Sequence, residues 1–122
     1  MFELTKSEIL RGKKDFNAVH NRGRSFANHA LVLLVVHDEH YNGKVGFAAG
    51  KKLGCAVIRN RVKRLMREVY RLNKNSLRRD FGMILVGRKF LVKAKFADAE
   101  KAFLDLCRRA LLLKSNQTVD AT

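Results

Sequence analysis

The sequence predicts one α/β domain over residues 1–122, a two-layer sandwich of helices on a β-sheet in the order α-β-β-α-β-α. Three observations lead to this prediction. Runs of apolar and β-branched residues with the length of a strand lie at 29–37, 44–49 and 80–86. Two longer segments carry apolar residues at helical spacing. The chain has no proline, so glycine, asparagine and serine mark the breaks between elements.

The first half of the chain predicts a helix followed by two strands. The helix extends over about 13–21, and Gly23 is its stop signal. Residues 29–37, HALVLLVVH, are apolar at consecutive positions and predict a buried central strand. A turn-rich loop follows, and 44–49 is expected to be a second strand, antiparallel to the first.

The next helix, at about 55–73, is the most informative segment. Gly50 and Gly54 bracket a Lys51–Lys52 loop that leads into it. Its apolar positions follow the spacing of one buried helix face: Ile58, Val62, Leu65, Val69 and Leu72. The opposite side is polar and mostly cationic: Arg59, Asn60, Lys63, Arg64, Arg67, Arg71 and Lys74. Because the segment 51–71 holds eight Lys or Arg and one Glu, its charges repel one another, and we expect a polyanion to bind there.

The last third of the chain predicts a strand at 80–86 and a helix over about 96–113. Acidic residues of this helix are expected to cap it or to pair with its own cations: Asp98, Glu100 and Asp105, with Lys101, Arg108 and Arg109. The polar residues 114–122 are expected to fray.

The composition of the whole chain also indicates a polyanion partner. Lys plus Arg number 26 and Asp plus Glu number 11, which gives a net charge of +15 and a pI near 10.5. Since 47% of the residues are apolar, the chain can build a packed core and is not a disordered basic tail. Nucleic acid is the favoured partner, and an anionic membrane or an acidic protein is the alternative.

Several features predict a cytoplasmic protein with reduced cysteines. The sequence contains no apolar run of about 18 residues, the length that a membrane-spanning helix needs. The N-terminal segment lacks the apolar region of a signal peptide. Cys55 and Cys107 form neither a CxxC pair nor a metal-binding spacing, and both are expected to be buried.

No catalytic or metal site on the protein is predicted. The histidines lack the spacing and the acidic neighbours of a zinc site: His20, His29, His37 and His40. The serines considered as nucleophiles have no evident base: Ser7, Ser25 and Ser76. The glycine spacing at 50–54 does not match a nucleotide-binding loop.

The segment KKLGCAVIRNRVKRLMREVYR at 51–71 closely resembles the signature of the bacterial ribonuclease P protein subunit. That signature is a Lys-Lys-Gly-x-Ala-Val entry followed by R-N-R-x-K-R-x-x-R. The matching residues are Lys51, Lys52, Gly54, Ala56, Val57, Arg59, Asn60, Arg61, Lys63, Arg64 and Arg67. The upstream KKDFNAVHNRGRS and the strand after it are also similar, so the resemblance covers about residues 10–113, which is taken as the domain core.

The resemblance implies the protein subunit of a ribozyme. In this family the RNA subunit carries the active site and its Mg²⁺ ions, and the complex removes the 5′ leader of precursor tRNA. The protein is then expected to bind RNase P RNA and precursor tRNA and to contribute no catalytic residue and no bound metal of its own. It is also expected to act in the cytoplasm as a monomer, in a 1:1 complex with the RNA subunit.

The resemblance also implies a fold similar to the second domain of ribosomal protein S5. This fold is a four-stranded sheet with helices on one side and a left-handed β-α-β crossover around the basic helix. The residues themselves predict three strands. The fourth is expected near Gly23–Phe26 or near Gly87–Val92.

Two binding surfaces follow from the resemblance. The basic helix would bind the RNA subunit through these residues: Arg59, Asn60, Arg61, Lys63, Arg64, Arg67 and Arg71. Arg61 lies closer to the apolar stripe than the other cationic residues of this helix. It is therefore expected either to form an internal ion pair or to lie at the edge of the helix. Guanidinium forks grip phosphates, and asparagine amides both donate and accept hydrogen bonds.

The second surface would be a cleft between the first helix and the sheet, which binds the single-stranded leader. Phe16 would stack on a base there, and packing in the core is its alternative role. His20 stands where many members have a second aromatic residue. The remaining leader-binding candidates are phosphate-binding lysines and one apolar floor residue: Lys13, Lys14, Lys51, Lys52 and Leu34.

Two other functions remain open. One is a ribosomal or other structural RNA-binding protein that has no catalytic RNA partner. The other is a DNA-binding module, although neither a helix-turn-helix spacing nor a dimer interface is visible.

Overall fold

The computed structural model describes residues 8–10 and 12–114, with seven helices and strands among them. The helices are α1 (Gly12–Arg22), α2 (Ala56–Asn73) and α3 (Phe96–Arg109). The strands are β1 (Arg24–Ala27), β2 (Leu31–Val36), β3 (Val45–Ala49) and β4 (Gly82–Gly87). Of residues 114–122, which were predicted to fray, 115–122 lie outside the described part of the chain, whereas the Lys114 NH donates to the Ser76 oxygen at 3.0 Å. The domain bounds stay a prediction.

The four strands form one sheet in the order β1-β2-β4-β3. The β1–β2 and β2–β4 pairs are antiparallel, and β3 pairs with β4 in parallel. Because β4 is antiparallel to β2 and parallel to β3, β3 runs antiparallel to β2 as predicted, but the two strands are not neighbours in the sheet. Strands β1 and β4 occupy the two sides of β2. Strand β3 pairs with the other side of β4, and α2 connects β3 to β4 along the chain. The predicted left-handedness of this crossover stays a prediction.

The fourth strand is β1, at one of the two positions left open. The other position, near residues 87–92, forms a short 3₁₀ turn at Lys89–Val92. Gly23 directly follows the end of α1, as its role as a stop signal predicted, and precedes β1. A Cβ atom there would lie 2.5 Å from the Val19 oxygen and 2.6 Å from the Val35 oxygen, so only glycine lets the chain turn so close to the sheet. The strand was hard to predict because it has four residues, of which three are exposed.

The main core lies on one face of the sheet, under α2 and α3. Alternate residues of the two central strands point to it, as the two-residue period of a strand requires. The strands contribute Leu31, Leu33, Val35, Met83 and Leu85, and the helices contribute Val62, Met66, Val69, Phe103 and Leu106. All of these side chains are at most 2% exposed.

A second, smaller core lies on the opposite face of the sheet, under α1. Its buried residues are Val19, Leu34, Val36, Tyr41 and Ile84. The sheet with α2 and α3 matches the two-layer arrangement that was predicted. The fold differs in one respect, because α1 covers part of the other face instead of joining α2 and α3.

The last helix ends at Arg109, four residues earlier than predicted. Leu111 has a φ of 60°, which reverses the chain after the helix. This reversal lets Leu112 enter the core at 1% exposure and lets Leu113 form an antiparallel bridge with Leu77. A continued helix would leave Leu112 out of this core.

Candidate nucleic-acid interface

Helix α2 lies against β3, β4 and α3. Its fully buried side chains are Val62, Met66, Val69 and Tyr70. Val62, Val69 and the partly buried Ile58 and Leu65 agree with the predicted apolar stripe. Leu72 does not, because its side chain is 38% exposed. Packing against α3 as well as the sheet turns the buried side toward Met66 and Tyr70 and away from Leu72.

The entry to α2 depends on a glycine. Gly54 has a φ of 141°, a conformation that disfavours other residues, and a Cβ atom there would lie 2.9 Å from Ile58 Cδ1. The preceding residues Lys51–Leu53 form a 3₁₀ turn, so the predicted loop has a defined conformation. This turn holds Lys51 and Lys52 exposed beside the first turn of α2.

The outer side of α2 carries a cationic surface that we call the basic face: Arg59, Asn60, Arg61, Lys63, Arg64 and Arg67. Within the described residues, none of its cations forms an ion pair with an acid. The Arg59 Nε donates to the Gly54 oxygen at 3.2 Å, and the Arg67 guanidinium lies 5.7 Å from the centre of the Phe47 ring. Such contacts hold guanidinium groups in place and leave their charge uncompensated.

Arg61 belongs to this basic face. Its side chain is exposed and has no ion pair or hydrogen bond among the described residues. The alternative of an internal ion pair is therefore wrong for Arg61, and its place at the exposed edge of the helix is confirmed.

Two predicted members of the cationic side behave differently. Arg71 is paired with Glu68, at 2.7 Å between Nη2 and Oε2. Its hydrogen bond holds the pKa of the Glu68 carboxyl below its usual value. Lys74 is wrongly predicted as exposed, because it is 6% exposed and its Nζ lies 3.2 and 3.1 Å from the two carboxylate oxygens of Glu8. The helix has ended at Asn73, and the following turn directs Lys74 inward.

Helix α1 packs on the sheet face that carries the smaller core, where the leader-binding cleft is predicted. Phe16 is partly buried and packs on this core, while Leu34 is 6% exposed beneath it. Val32 and Val86 also remain partly buried on this face. Phe16 thus packs against the protein and keeps part of its surface accessible.

Cations surround this cleft. On α1, Lys14 and His20 are exposed, and the Lys13 side chain lies outside what the structure describes. Strand β3 ends opposite Gly87, at the end of the sheet where Val32 and Val86 stay partly buried. Lys51 and Lys52 follow after Gly50, so they lie at that end of the sheet. Phe16 and Leu34 are brought into one cluster as predicted.

A further group at this end of the sheet was missed by sequence reasoning. Arg88, Lys89 and Phe90 follow β4 and are exposed. A basic pair followed by an aromatic residue, directly after a predicted strand, is the signal that could have identified it.

The two cysteines differ in environment. Cys107 is buried as predicted, and burial raises the pKa of its thiol to about 12. The prediction of burial is wrong for Cys55, which is exposed at the N-terminus of α2. Hydrogen bonds from the backbone of Ile58 and Val57 hold the pKa of its thiol below the usual value.

Of the acidic residues of α3, Asp105 forms a predicted ion pair, whereas Glu100 accepts a hydrogen bond from the Asn73 Nδ2 at 2.8 Å instead. Asp105 pairs with Arg109 at 2.9 Å within α3. The rings of His29 and His40 contact Phe90 and Tyr41. Among residues 8–10 and 12–114, no group of three or more His, Cys, Asp or Glu is placed to hold a metal ion. In the same part of the chain, every helix is too short or too polar to cross a membrane.

Comparisons with known proteins agree with the resemblance in the sequence. The family model described as ribonuclease P matches residues 4–111. The ribonuclease P protein component of Alkaliphilus oremlandii is 37% identical over 106 residues, which is 87% of this chain and 93% of that protein. The one of Natranaerobius thermophilus is 38% identical over 112 residues, covering 90% of this chain and 97% of the relative.

Solved structures show the same fold. The RNase P protein of Staphylococcus aureus superposes with a TM-score of 0.79 at 23% identity, over 89% of this chain and all of that chain. At this identity the likeness is one of fold. The RNase P protein from Thermotoga maritima has a TM-score of 0.72 at 30% identity, over 84% of this chain and 96% of that one.

Proposed function

Because the chain belongs to the ribonuclease P protein family, we propose that it is the protein subunit of ribonuclease P and binds two RNAs through separate surfaces. It takes part in the removal of the 5′ leader from precursor tRNA. The basic face binds the RNA subunit, and the cleft between α1 and the sheet binds the leader.

The charge of the basic face supports its role in binding the RNA subunit. Its cations have no acidic partner in the described residues, so a polyanion supplies the missing counter-charge. An arginine guanidinium group can bind a phosphate through two parallel hydrogen bonds, and the Asn60 side chain can form a hydrogen bond with a 2′-hydroxyl. Arg71 contributes less, since Glu68 already neutralises it.

The partly exposed apolar residues beside α1 support the role of this face in binding the leader. Phe16 offers a partly exposed ring over an apolar floor that includes Leu34, and stacking on a base is tolerant of sequence. His20 lies one helical turn from Phe16 and contacts the same strand of RNA. The lysines at the two sides of the cleft bind its phosphates: Lys13, Lys14, Lys51 and Lys52.

The chemistry of cleavage belongs to the RNA subunit in this proposal. The RNA holds the catalytic Mg²⁺, and the protein raises the affinity for precursor over mature tRNA. The protein acts in the cytoplasm as one copy per RNA subunit. The comparisons do not favour a structural RNA-binding protein without a catalytic RNA partner, which was the alternative.

The observation that carries the proposal is the unpaired basic face on an RNase P protein fold. The test is reconstitution with a bacterial RNase P RNA at low Mg²⁺, with 5′ processing of a precursor tRNA as the readout. We expect the protein to restore cleavage that the RNA alone performs poorly at that Mg²⁺ concentration. If cleavage is not restored, while a known RNase P protein restores it with the same RNA, the proposal is refuted.

A further inference from the structure

An exposed aromatic pair lies at the end of the sheet where β3 and β4 finish. Phe90, in the turn after β4, is 44% exposed. The His29 ring, in the turn between β1 and β2, contacts it edge to face, with 4.6 Å between ring centres and 80° between planes. We call Phe90 and His29 the aromatic end site.

Burial in the core does not explain the position of Phe90. The next residue, Leu91, fills the main core at 1% exposure, so the turn is anchored without the Phe90 ring. The Arg88 Nη1 donates to the Asn28 oxygen at 2.9 Å and its backbone NH to the Ala30 oxygen at 2.9 Å. These bonds hold the two turns together and keep the two rings in contact at the surface.

Cations surround the aromatic end site. Arg88 and Lys89 are exposed next to Phe90, and the turn with Lys51 and Lys52 contacts the turn with Phe90. Within the described residues, none of these four cations forms an ion pair. An exposed ring among uncompensated cations fits single-stranded RNA, whose bases stack while its phosphates bind the cations.

We propose that the aromatic end site is a second stacking site for the leader of precursor tRNA, used by leaders that extend beyond the cleft. The inference depends on the proposed function, because it needs the leader to lie in the cleft. Val32 and Val86, which are partly buried on the face of the proposed cleft, lie at this same end of the sheet, where β3 leads into the turn with Lys51 and Lys52. A leader that leaves the cleft there passes the Phe90 ring, which His29 holds in place by its edge contact.

The test compares precursors whose leaders are shortened one nucleotide at a time, bound to the reconstituted holoenzyme. Phe90→Ala should weaken binding of the long-leader precursor by about 5- to 10-fold, the lower part of the range for one stacked base. It should leave short-leader precursor and mature tRNA unchanged. Phe90→Leu should lose as much as Phe90→Ala, and Phe90→Trp should restore binding, because a ring is needed and apolar bulk alone is not.

Leu111→Ala is the matched control, since Leu111 is also an exposed apolar residue, at 74%. Equal affinities for Phe90→Ala and the parent protein at every leader length would overturn the inference and leave the proposed function intact. Equal loss of affinity for precursor and mature tRNA would also overturn the inference, because it would indicate that Phe90 contacts the RNA subunit. Full function of Phe90→Leu would overturn it as well, because apolar bulk would then be enough without an aromatic ring. Failure of the parent protein to support cleavage would refute the proposed function and the inference together.

Discussion

At the level of one residue, Phe16 packs on the smaller core and keeps part of its ring exposed, so the proposed stacking on the leader and a packing role can be tested separately. Phe16→Ala is therefore expected to weaken holoenzyme binding of precursor tRNA by about 1–3 kcal/mol, the value of one stacked base, and to spare mature tRNA. It should also lower the free energy of unfolding, since packing is lost. Binding titrations with both tRNAs and urea unfolding measure the two effects.

Val19→Ala is the control for the Phe16 experiment. Val19 is fully buried one turn away in the same core, so this variant should lose stability and keep the discrimination between precursor and mature tRNA. Equal losses for both tRNAs in Phe16→Ala would show that the ring serves packing alone.

Cys55 gives a pH-dependent signal at the start of the basic face. Its pKa is held low by the N-terminus of α2, so its thiolate forms at lower pH than that of an ordinary thiol. In the folded protein, alkylation of Cys55 should reach half its maximal rate at a lower pH than in urea. Bound RNA subunit should slow it. Cys107, buried and with a pKa near 12, should react only after unfolding. Equal alkylation rates with and without RNA would place Cys55 away from the interface.

At the level of elements, a largely buried ion pair joins the end of α2 to the segment before α1. Lys74, which follows α2, binds Glu8. Glu8 lies before α1, next to Ile9, which forms a bridge with Val45. Lys74→Met should lower the free energy of unfolding by about 3 kcal/mol, because a buried carboxylate loses a partner. Arg79, 3.5 Å from Glu8, compensates in part. Chemical denaturation is the measurement.

Arg22→Met is the matched control for Lys74→Met. The Arg22–Asp38 pair has a similar length of 3.0 Å, but the Arg22 side chain is 67% exposed. Its loss should cost less than about 1 kcal/mol. Similar small losses in both variants would mean that the Lys74–Glu8 pair adds little to the docking of the N-terminal segment.

The basic face of α2 should act as a unit that neutralises phosphates. Arg59→Ala with Arg64→Ala is expected to reduce the magnitude of the log–log salt slope for RNA-subunit binding by about 1.4–1.8, the value for two phosphates. Arg22→Ala with Arg108→Ala removes the same net charge from outside the basic face and should leave the slope unchanged. An unchanged slope in Arg59→Ala with Arg64→Ala would refute its phosphate contacts.

The elements differ in how far the sequence could predict them. Helical spacing and the glycine breaks were enough for α1 and α2 because these signals are local. The partner of β3 and the position of β1 depend on pairings across the sheet, which spacing does not encode. Lys74 was predicted as exposed because a helical projection continues past Asn73, where the real helix stops. The Phe90–His29 contact joins two turns far apart in sequence and became visible only in the fold.

At the level of the whole molecule, the net charge of +15 opposes the compact state and favours RNA binding. The two effects respond to salt in opposite directions, since screening relieves repulsion inside the protein and weakens attraction to RNA. Each cation of the basic face should therefore lower the free energy of unfolding and raise the affinity for the RNA subunit.

Lys63 tests this trade-off, because Arg59 precedes it and Arg67 follows it by four residues on the same helix face. Removing one like-charge neighbour at this spacing is worth about 0.2–0.5 kcal/mol. Lys63→Gln should accordingly raise the free energy of unfolding by about 0.4–1 kcal/mol at low salt, with the gain shrinking as salt is added. The same variant should bind the RNA subunit more weakly.

On α3, Lys101→Gln removes a cation flanked by Asp98 and Asp105, so it should lower stability slightly and leave RNA binding unchanged. Thermal unfolding at several salt concentrations, together with RNA titrations, measures both quantities. If Lys63→Gln leaves the free energy of unfolding unchanged or lowers it at low salt, charge repulsion on the basic face does not limit the stability of this fold.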